Sequence, residues 1–411
     1  MAILHPFRAV RPARDKAHLV ATRPVYTYKK SILKAKLEAN PYTFIRIINP
    51  EYNEVIKTKP NSLERFKHVK LKFEEFYRRK ILIQDENPAL YLYRQTIQGQ
   101  EFVGIIAGAS NDEYRSDHIK KHEATLTSRE LMFTNYLDTV GFNAEPVLLS
   151  YPKNNKLKQS YARIMKARPE YEFSTTDKIK HELWVVSPED EQKVQKLFDK
   201  IEYTYIADGH HRSASSVRLE NTVSKKEKKQ FNNLRYFLAC FMDEESLKIL
   251  EFNRLVKSLG KVKPKDLLLR LKDKFEIKQL SQATLPQKEH QIVMNLKNKW
   301  YQLDCKNEII ENGHPVSCLD AEILTQEILK PILGIQDLKT DANIDFVSGN
   351  LGLKGIVNPI KKGKAQLGFI LFPTTMTQIK RVADHHMIMP PKSTWVEPKM
   401  RSGLTIYNIR E

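Results

Sequence analysis

Apolar positions recur along the chain at spacings that are typical of helices in some segments and of strands in others. From Leu63 to Phe76 they follow a helical period directly after the candidate capping residues Asn61 and Ser62, which predicts an amphipathic helix with a buried stripe. Residues 90–95 and 101–107 are apolar runs on either side of a Gln-Gly turn, which predicts two paired strands. A further helix is expected over residues 128–139.

Several shorter runs are also interpreted as strands. They cover residues 42–48, 146–151, 161–167 and 181–186, and a Ser-Pro-Glu-Asp start signal then predicts a helix to Ile201. The first forty residues, punctuated by prolines, are expected to be extended. The tail after Pro391 is expected to be irregular.

A strand, a turn and a helix are predicted in immediate succession around residue 208. Residues 203–207 form a short β-rich run, Asp208-Gly209 favours a turn, and residues 213–219 have the composition of a helix that opens just after it. This order is typical of phosphate-binding sites, because the first turn of a helix presents backbone N–H groups to an anion.

The length bounds the architecture. A chain of 411 residues exceeds the usual size of one hydrophobic core, so two or three lobes are expected. Strands and helices mixed along the chain predict an α+β (mixed α/β) fold. We place an N-terminal lobe with the nucleotide site at residues 1–260 and a C-terminal α+β lobe at residues 261–411, with a hinge at residues 260–264.

Composition and charge narrow the function classes. No stretch approaches the roughly 20 apolar residues that cross a bilayer, and the three cysteines are widely spaced, which favours a cytoplasmic protein without membrane attachment. The formal net charge of +19 could attract nucleic acid or phosphorylated small molecules. Because the lysines are spread along the chain, a nucleic-acid groove is the less favoured interpretation. The oligomeric state is left open.

The turn at residues 208–212 carries the most chemistry. Gly209 permits a tight turn and close backbone approach, and we expect Gly209, His210, Arg212 and Ser213 to bind phosphate. Asp208 is a candidate to hold a magnesium ion or take a proton, and the imidazole of His211 could stabilise transferring charge. The alternative is an Asx turn that merely caps the helix.

A second cluster lies between residues 112 and 129. Glu123 is a candidate general base, His122 accompanies it as a catalytic candidate, and Lys121 and Arg129 are candidate phosphate partners. His118 and His122 also have the spacing of two metal ligands on a helix, although a third ligand is not obvious. A capped surface loop explains the cluster equally well.

A third cluster lies in the C-terminal tail. Lys392, Ser393, Trp395 and Lys399 follow two stiff prolines and could form a lid or a substrate contact. Rigid packing of the tail is the alternative. The chain contains no Walker A motif, nucleophile elbow or kinase His-Arg-Asp set, so the common nucleotide-enzyme folds are not supported.

Short motifs recur in a fixed order along the chain, at residues 6–8, 92–95, 119–125, 181–184, 206–212 and 389–395. Together they resemble the uncharacterised bacterial family known as domain of unknown function 1015, over nearly the full length. The chain departs from the family in one place, where it has Arg23-Pro24-Val25-Tyr26-Thr27 in place of a Pro-Pro-Tyr-Asp element.

A second, local resemblance concerns Asp208, Gly209, His211 and Arg212. They are similar to the phosphate-binding turn of the free serine kinase, ParB and sulfiredoxin group. The resemblance implies a nucleotide-binding lobe of that type, with phosphotransfer to free serine in one branch, CTP-dependent DNA clamping in another and sulfinic acid repair in the third. The third is disfavoured because the turn has histidines where a reactive cysteine is needed.

We therefore expect a phosphotransferase that acts on a small hydroxyl-containing metabolite, with free serine or phosphoserine first. It would use Mg²⁺ with ATP or ADP, and CTP is also considered. The competing hypothesis is a nucleotide-binding, DNA-associated regulator of ParB type without phosphotransfer. The regulator hypothesis is weakened because no convincing helix-turn-helix follows the turn.

Overall fold

The computed structural model describes residues 2–52, 55 and 57–411, and it confirms the mixed α/β class. Short 3₁₀ turns join some elements, and a π-helical turn at Thr325–Leu329 continues α12. The α-helices are α1 (Ala17–Val20), α2 (Lys30–Ala39), α3 (Ile45–Ile48), α4 (Leu63–Arg78), α5 (Asn111–Arg115), α6 (Thr127–Val140), α7 (Asn155–Ile164), α8 (Pro188–Phe198), α9 (His210–Thr222), α10 (Lys225–Gln230), α11 (Pro264–Leu271), α12 (Asp320–Leu324), α13 (Lys354–Lys361) and α14 (Met376–Asp384).

The strands follow the helices in the same chain-order numbering. They are β1 (Val10–Pro12), β2 (Leu82–Gln84), β3 (Tyr91–Ile97), β4 (Gln100–Ser110), β5 (Ile119–Lys120), β6 (Phe142–Asn143), β7 (Val147–Tyr151), β8 (Tyr171–Ser174), β9 (Ile179–Val185), β10 (Thr204–Asp208), β11 (Tyr236–Asp243), β12 (Lys248–Val256), β13 (Phe275–Leu280), β14 (Gln291–Leu296), β15 (Lys299–Cys305), β16 (Ile344–Ser348), β17 (Leu367–Ile370), β18 (Thr394–Glu397) and β19 (Tyr407–Asn408).

The chain divides into two compact units. Unit 1 contains residues 1–121, 125–247 and 398–411, and unit 2 contains residues 122–124 and 248–397. The C-terminal fourteen residues therefore belong to the same unit as the turn at residue 208, although nearly two hundred residues separate them in sequence.

Unit 1 is built on an eight-stranded mixed sheet with the strand order β5-β10-β7-β11-β4-β3-β9-β8. The apolar sides of its strands and the helices α7 and α8 bury a core that includes Leu92, Ile105, Leu149 and Phe198. Strand β10 lies near one edge, parallel to β5 and antiparallel to β7, and it leads directly into α9. This register brings the start of β7 beside the end of β10.

Unit 2 is built on the sheet β13-β15-β14-β17-β12-β16, and β18 adds to the first half of β12. Its core includes Leu267, Met294, Leu303 and Phe369. Arg254 on β12 is fully buried, and its Nη1 donates to the Phe252 carbonyl, two residues earlier, at 2.7 Å. Burial lowers the pKa of Arg254 to about 9, so this guanidinium still carries its charge at neutral pH.

Local signals explain several boundaries. The Ser62 hydroxyl accepts the Arg65 N–H at 3.3 Å, so Ser62, one of the two candidate residues, caps α4. Helix α6 ends at Gly141, whose φ of 80° is the left-handed conformation that closes a helix without a steric penalty. The paired strands β3 and β4 also confirm the hairpin prediction.

Four predictions of secondary structure are wrong. Residues 161–167 largely belong to α7, because Asn154 caps a helix whose buried face is Leu157, Tyr161 and Ile164. Residues 42–48 include α3, since a short apolar run can be buried in either conformation. The segment Lys30–Ala39 is helical because it is rich in Lys, Leu and Ala. The tail forms β18 by pairing with a strand almost 150 residues earlier.

None of the helices within residues 2–52, 55 and 57–411 combines the length and apolar character that a membrane span requires.

Candidate functional site

The junction between β10 and α9 has the predicted strand-turn-helix order. Strand β10 ends at Asp208, Gly209 occupies the N-cap position with a φ of 107°, and α9 begins at His210. The Gly209 carbonyl accepts the N–H groups of Arg212 and Ser213 at 2.8 and 3.1 Å, which closes the first turn. The N-terminal end of a thirteen-residue helix therefore stands directly at the end of a buried strand.

Gly209 is required at this turn for two separate reasons. Its positive φ favours glycine over residues with a side chain. A Cβ atom at this position would also lie 2.8 Å from Nη2 and 2.9 Å from Nε of Arg212. The guanidinium group thus packs flat against the turn that precedes it.

Arg212 is held by acceptors on two sides. Its Nη1 atom forms an ion pair with Glu145 and donates to the Pro146 carbonyl at 3.0 Å, while Nη2 lies 3.4 Å from Asp208 Oδ2. Burial would lower the pKa of Arg212, but Glu145 and Asp208 raise it overall. The side chain therefore braces the end of β10 against the start of β7.

Asp208 lies between two cations. Lys399 Nζ and Arg212 Nη2 are each 3.4 Å from Oδ2, and the Asp208 side chain keeps 30% of its surface exposed. Burial acts to raise the pKa of Asp208, but Lys399 and then Arg212 outweigh it and hold that pKa below its ordinary value. Asp208 is consequently a carboxylate at neutral pH, partly open to solvent.

The two histidines of the turn differ in their environment. His210 is buried, and this burial lowers its pKa to about 3, so its imidazole is neutral at pH 7. His211 is only half-buried. Ser213 is completely buried, and its hydroxyl donates to the His210 carbonyl at 3.0 Å, inside the helix.

The other candidates of unit 1 lie in three different places. Lys121 directly follows β5, where its ammonium donates to the Tyr114 carbonyl at 2.9 Å and lies 3.1 Å from Asp117. Arg129 is exposed on the first turn of α6. Lys399, predicted as a lid residue or substrate contact, is a direct neighbour of Asp208.

The remaining candidates belong to unit 2. Glu123 is exposed and His122 is buried, with the His122 carbonyl accepting the Met389 N–H at 2.9 Å. Within the tail, the Ser393 hydroxyl donates to the Pro390 carbonyl at 2.7 Å, Trp395 Nε1 donates to Glu397 at 2.7 Å, and Lys392 Nζ lies 5.5 Å from the centre of the Phe252 ring.

Sequence reasoning missed Glu145 and most of the C-terminal segment at residues 399–403. The Ser402 hydroxyl donates to Glu145 Oε2 at 2.9 Å, and the Gly403 N–H donates to the Ala144 carbonyl at 2.9 Å. This segment therefore packs on the same loop that holds Arg212. Glu145 carries a weak signal, because it precedes a predicted strand, but nothing local links it to Arg212.

The geometry at Asp208 is compatible with a magnesium ion. Both cations approach Oδ2, so Oδ1 is the oxygen that could serve as a metal ligand. Magnesium bound to nucleotides uses one or two carboxylates and completes its coordination with phosphate and water oxygens. A single carboxylate at a helix N-terminus fits that pattern.

Comparison with known proteins identifies the family of this chain. The family model described as "Protein of unknown function (DUF1015)" matches residues 4–322, which confirms the family expected from the motifs. No curated protein matches the chain.

Solved structures show a distant likeness. A variant of free serine kinase in complex with AMP is 13% identical, with 74% of this chain and 92% of that chain covered and a TM-score of 0.37. The C-terminally truncated SbnI from Staphylococcus aureus is 10% identical over 74% and 87% of the two chains, with a TM-score of 0.37. A conserved hypothetical protein from Pyrococcus furiosus is 15% identical over 73% and 95%, with a TM-score of 0.33.

Proposed function

Because the chain belongs to the DUF1015 family of proteins of unknown function, we propose its function from the turn itself: a nucleotide-dependent phosphotransferase that acts on a small hydroxyl-containing metabolite, with L-serine as the first candidate. The observation that carries this proposal is the ionised, partly exposed Asp208 at the N-terminal end of α9, flanked by Lys399 and Arg212. A helix cap alone would not need two cations around its acid.

The nucleotide phosphates would lie at the first turn of α9. The N-terminal end of this helix favours an anion, and Gly209 lets the phosphate approach the backbone closely. The half-buried His211 would stabilise the transferred group, whereas the neutral His210 could contribute only hydrogen bonds. Arg212 would act mainly by holding the turn in shape, because Glu145 and Asp208 already engage its guanidinium.

In the reaction, the serine hydroxyl oxygen attacks the terminal phosphorus of ATP or ADP. The bond from that phosphorus to the bridging oxygen breaks, and the nucleotide leaves with one phosphate fewer. A lowered pKa makes Asp208 a weak base, so it would orient the hydroxyl, and a bound Mg²⁺ would supply charge neutralisation on the phosphates. From the sequence, Glu123 is our candidate for the base that takes the proton, with His122 beside it.

The proposal is tested by incubating the protein with MgCl₂, L-serine and each of ATP, ADP and CTP, and by following products with phosphorus NMR. We expect a phosphoserine resonance with one adenine nucleotide. The reverse reaction is started from phosphoserine and ADP or AMP. If no donor gives phosphoserine, if phosphoserine transfers no phosphate to either nucleotide, and if other small alcohols remain unmodified, the phosphotransferase proposal fails.

The competing proposal, a nucleotide-gated DNA-associated regulator, is favoured by the net charge of +19. Binding to DNA through phosphate contacts falls steeply with salt concentration. Fluorescence anisotropy of labelled duplex DNA at low and moderate salt, with and without CTP or ATP, distinguishes the two proposals. Salt-sensitive DNA binding that changes with CTP or ATP, together with no phosphoryl transfer, would support the regulator.

A further inference from the structure

Unit 1 contains a cavity with both polar and apolar lining residues, and none of the residues 208–212 is among them. The cavity measures about 480 Å³, which is within the usual range for a small-molecule site. Helix α2, the segment before it and the loop between β8 and β9 form most of its wall, and Arg401 adds the C-terminal segment. Its polar lining includes Thr22, Arg23, Tyr28, Lys36, Asp177 and Arg401.

The charge of the lining is unbalanced. Arg23, Lys36 and Arg401 are cations, and Asp177 is the one carboxylate among the lining residues that the structure describes. Arg401 Nη2 lies 3.0 Å and Arg23 Nε lies 3.4 Å from Asp177 Oδ2, so one carboxylate is shared by two guanidinium groups. The excess of positive charge favours an anionic occupant.

Two buried polar atoms in the lining have no hydrogen-bond partner among the described residues. One is Nε of Arg401, whose residue is only 3% exposed, and the other is the hydroxyl oxygen of Thr22, also 3% exposed. Arg401 Nη2 donates to Asp177 and to the Thr175 hydroxyl, whereas its buried Nε has no acceptor among the described residues. Buried donors normally find partners, which points to an acceptor that a ligand supplies.

The rest of the cavity would accommodate an apolar body. Arg23 and Lys36 both lie over the ring of Tyr28, with 4.7 Å and 5.8 Å from their charged atoms to its centre. Leu19 and Ile32 and several alanines complete the wall. A bare inorganic ion would leave this apolar surface uncovered.

We propose that this cavity is a binding site for a small organic anion, in which a phosphate or carboxylate group is bound by Arg401 and Thr22 and an apolar or planar group lies beside Tyr28. The anion would also contact the C-terminal segment that lies against the turn, because Lys399, two residues before Arg401, contacts Asp208. The site does not depend on what reaction the turn performs.

The test is isothermal titration calorimetry on the full chain with phenyl phosphate, benzoate and inorganic phosphate. We expect phenyl phosphate or benzoate to bind saturably and at least about tenfold more tightly than inorganic phosphate, since only they fill the apolar part of the cavity. The better of the two identifies which acid group the site takes. Absence of saturable binding by both organic anions up to about 10 mM, the weak end of specific affinity, would overturn the proposal.

Two variants on α2 separate this site from other positive surfaces. Lys36→Gln removes a cation from the lining, while Lys34→Gln removes one that is 71% exposed two residues away on the same helix. We expect Lys36→Gln to weaken binding about three- to tenfold and Lys34→Gln to leave it unchanged, because a solvated charge contributes little. Equal effects of the two variants would contradict the proposed location.

Arg401→Lys tests the guanidinium itself. It keeps one positive charge near Asp177 but loses the planar set of donors, so we expect binding to fall about tenfold or more, the scale of a charge-assisted hydrogen bond. Thr22→Val, which removes only the orphaned hydroxyl, provides a second measurement if the lysine variant does not fold. Unchanged affinity in a folded variant of either residue would remove that residue from the site.

Discussion

The ammonium nitrogen of Lys399 lies 3.4 Å from Oδ2 of Asp208, although 191 residues separate the two in sequence. This contact brings the C-terminal segment onto the candidate phosphate-binding turn. Among the neighbouring charges, Lys399 lowers the pKa of Asp208 most. It therefore helps to keep ionised the carboxylate on which the proposed chemistry depends.

Replacing Lys399 with methionine should raise the pKa of Asp208, because the opposing effect of burial then has less to counter it. In the wild type, the lowered pKa stabilises the fold at pH values above the ordinary pKa of 3.8, and this stabilisation is lost as the pH falls through the pKa of the folded state. In Lys399→Met the folded-state pKa lies closer to 3.8, so this stabilisation is smaller and less of it is lost in acid. Thermal unfolding between pH 3 and 7 measures it. The exposed Lys158→Met is the control, and identical acid limbs would argue against the contact.

Removing Arg212 should destabilise unit 1 even without a ligand. Arg212→Ala leaves Glu145 and Asp208 without their cation, and the expected cost is about 1.5–3 kcal/mol in the free energy of unfolding, the range for hydrogen bonds to charged groups. Urea denaturation measures this cost. The exposed Arg129→Ala should stay within about 0.5 kcal/mol of the wild type. A stable Arg212→Ala that has nevertheless lost nucleotide binding would instead make Arg212 a direct phosphate ligand.

Gly209→Ala should lower the free energy of unfolding more than a glycine-to-alanine substitution at another left-handed position does. The new Cβ would lie within 3.0 Å of the Arg212 guanidinium, in addition to the strain of a φ of 107°. The matched control is Gly141→Ala, where φ is 80° and a Cβ meets nothing within 4 Å. We expect the control to cost about 1 kcal/mol and Gly209→Ala to cost more and to abolish nucleotide binding. Circular dichroism melts and calorimetry with AMP compare the two.

Much of the turn was predictable because it is encoded locally. A β-rich run, an Asp-Gly pair and a helix-forming segment follow each other within residues 203–219, and each signal depends only on its neighbours. The positions of Lys399 and Glu145 at this turn are not encoded locally. Their places depend on the register of β7 beside β10 and on the return of the C-terminal segment to unit 1, and neither is visible as a periodicity in the sequence.

The wrong predictions have the same origin. The tail at residues 394–397 has no strand partner nearby, and it becomes β18 only because the first half of β12 pairs with it. The segment at residues 161–167 has only Tyr161 and Ile164 as β-forming residues, and the signal that the prediction missed is the Asn154 cap several residues earlier. Pairing and capping partners outside a segment therefore decide its conformation in both places.

The buried His210 should make the protein sensitive to mild acid. Its pKa is lowered by burial to about 3, whereas an unfolded histidine binds a proton near pH 6.5. Between these values the unfolded state holds more protons, so stability should fall with decreasing pH by about 1.4 kcal/mol per pH unit for this one group. His210→Asn should flatten the slope, and the exposed His385→Asn should not. An unchanged slope in His210→Asn would mean that His210 is protonated in the fold.

The most direct test of the central claim compares the wild type with Asp208→Asn. The assay measures phosphoserine formation from L-serine, magnesium and the active nucleotide. The control is Asp199→Asn, at the exposed end of α8. The account predicts that Asp208→Asn loses turnover by about 100-fold or more, the scale of a removed catalytic group, while nucleotide affinity by calorimetry stays within about threefold. An Asp208→Asn variant that turns over at the wild-type rate would contradict it and leave the turn as a binding device only.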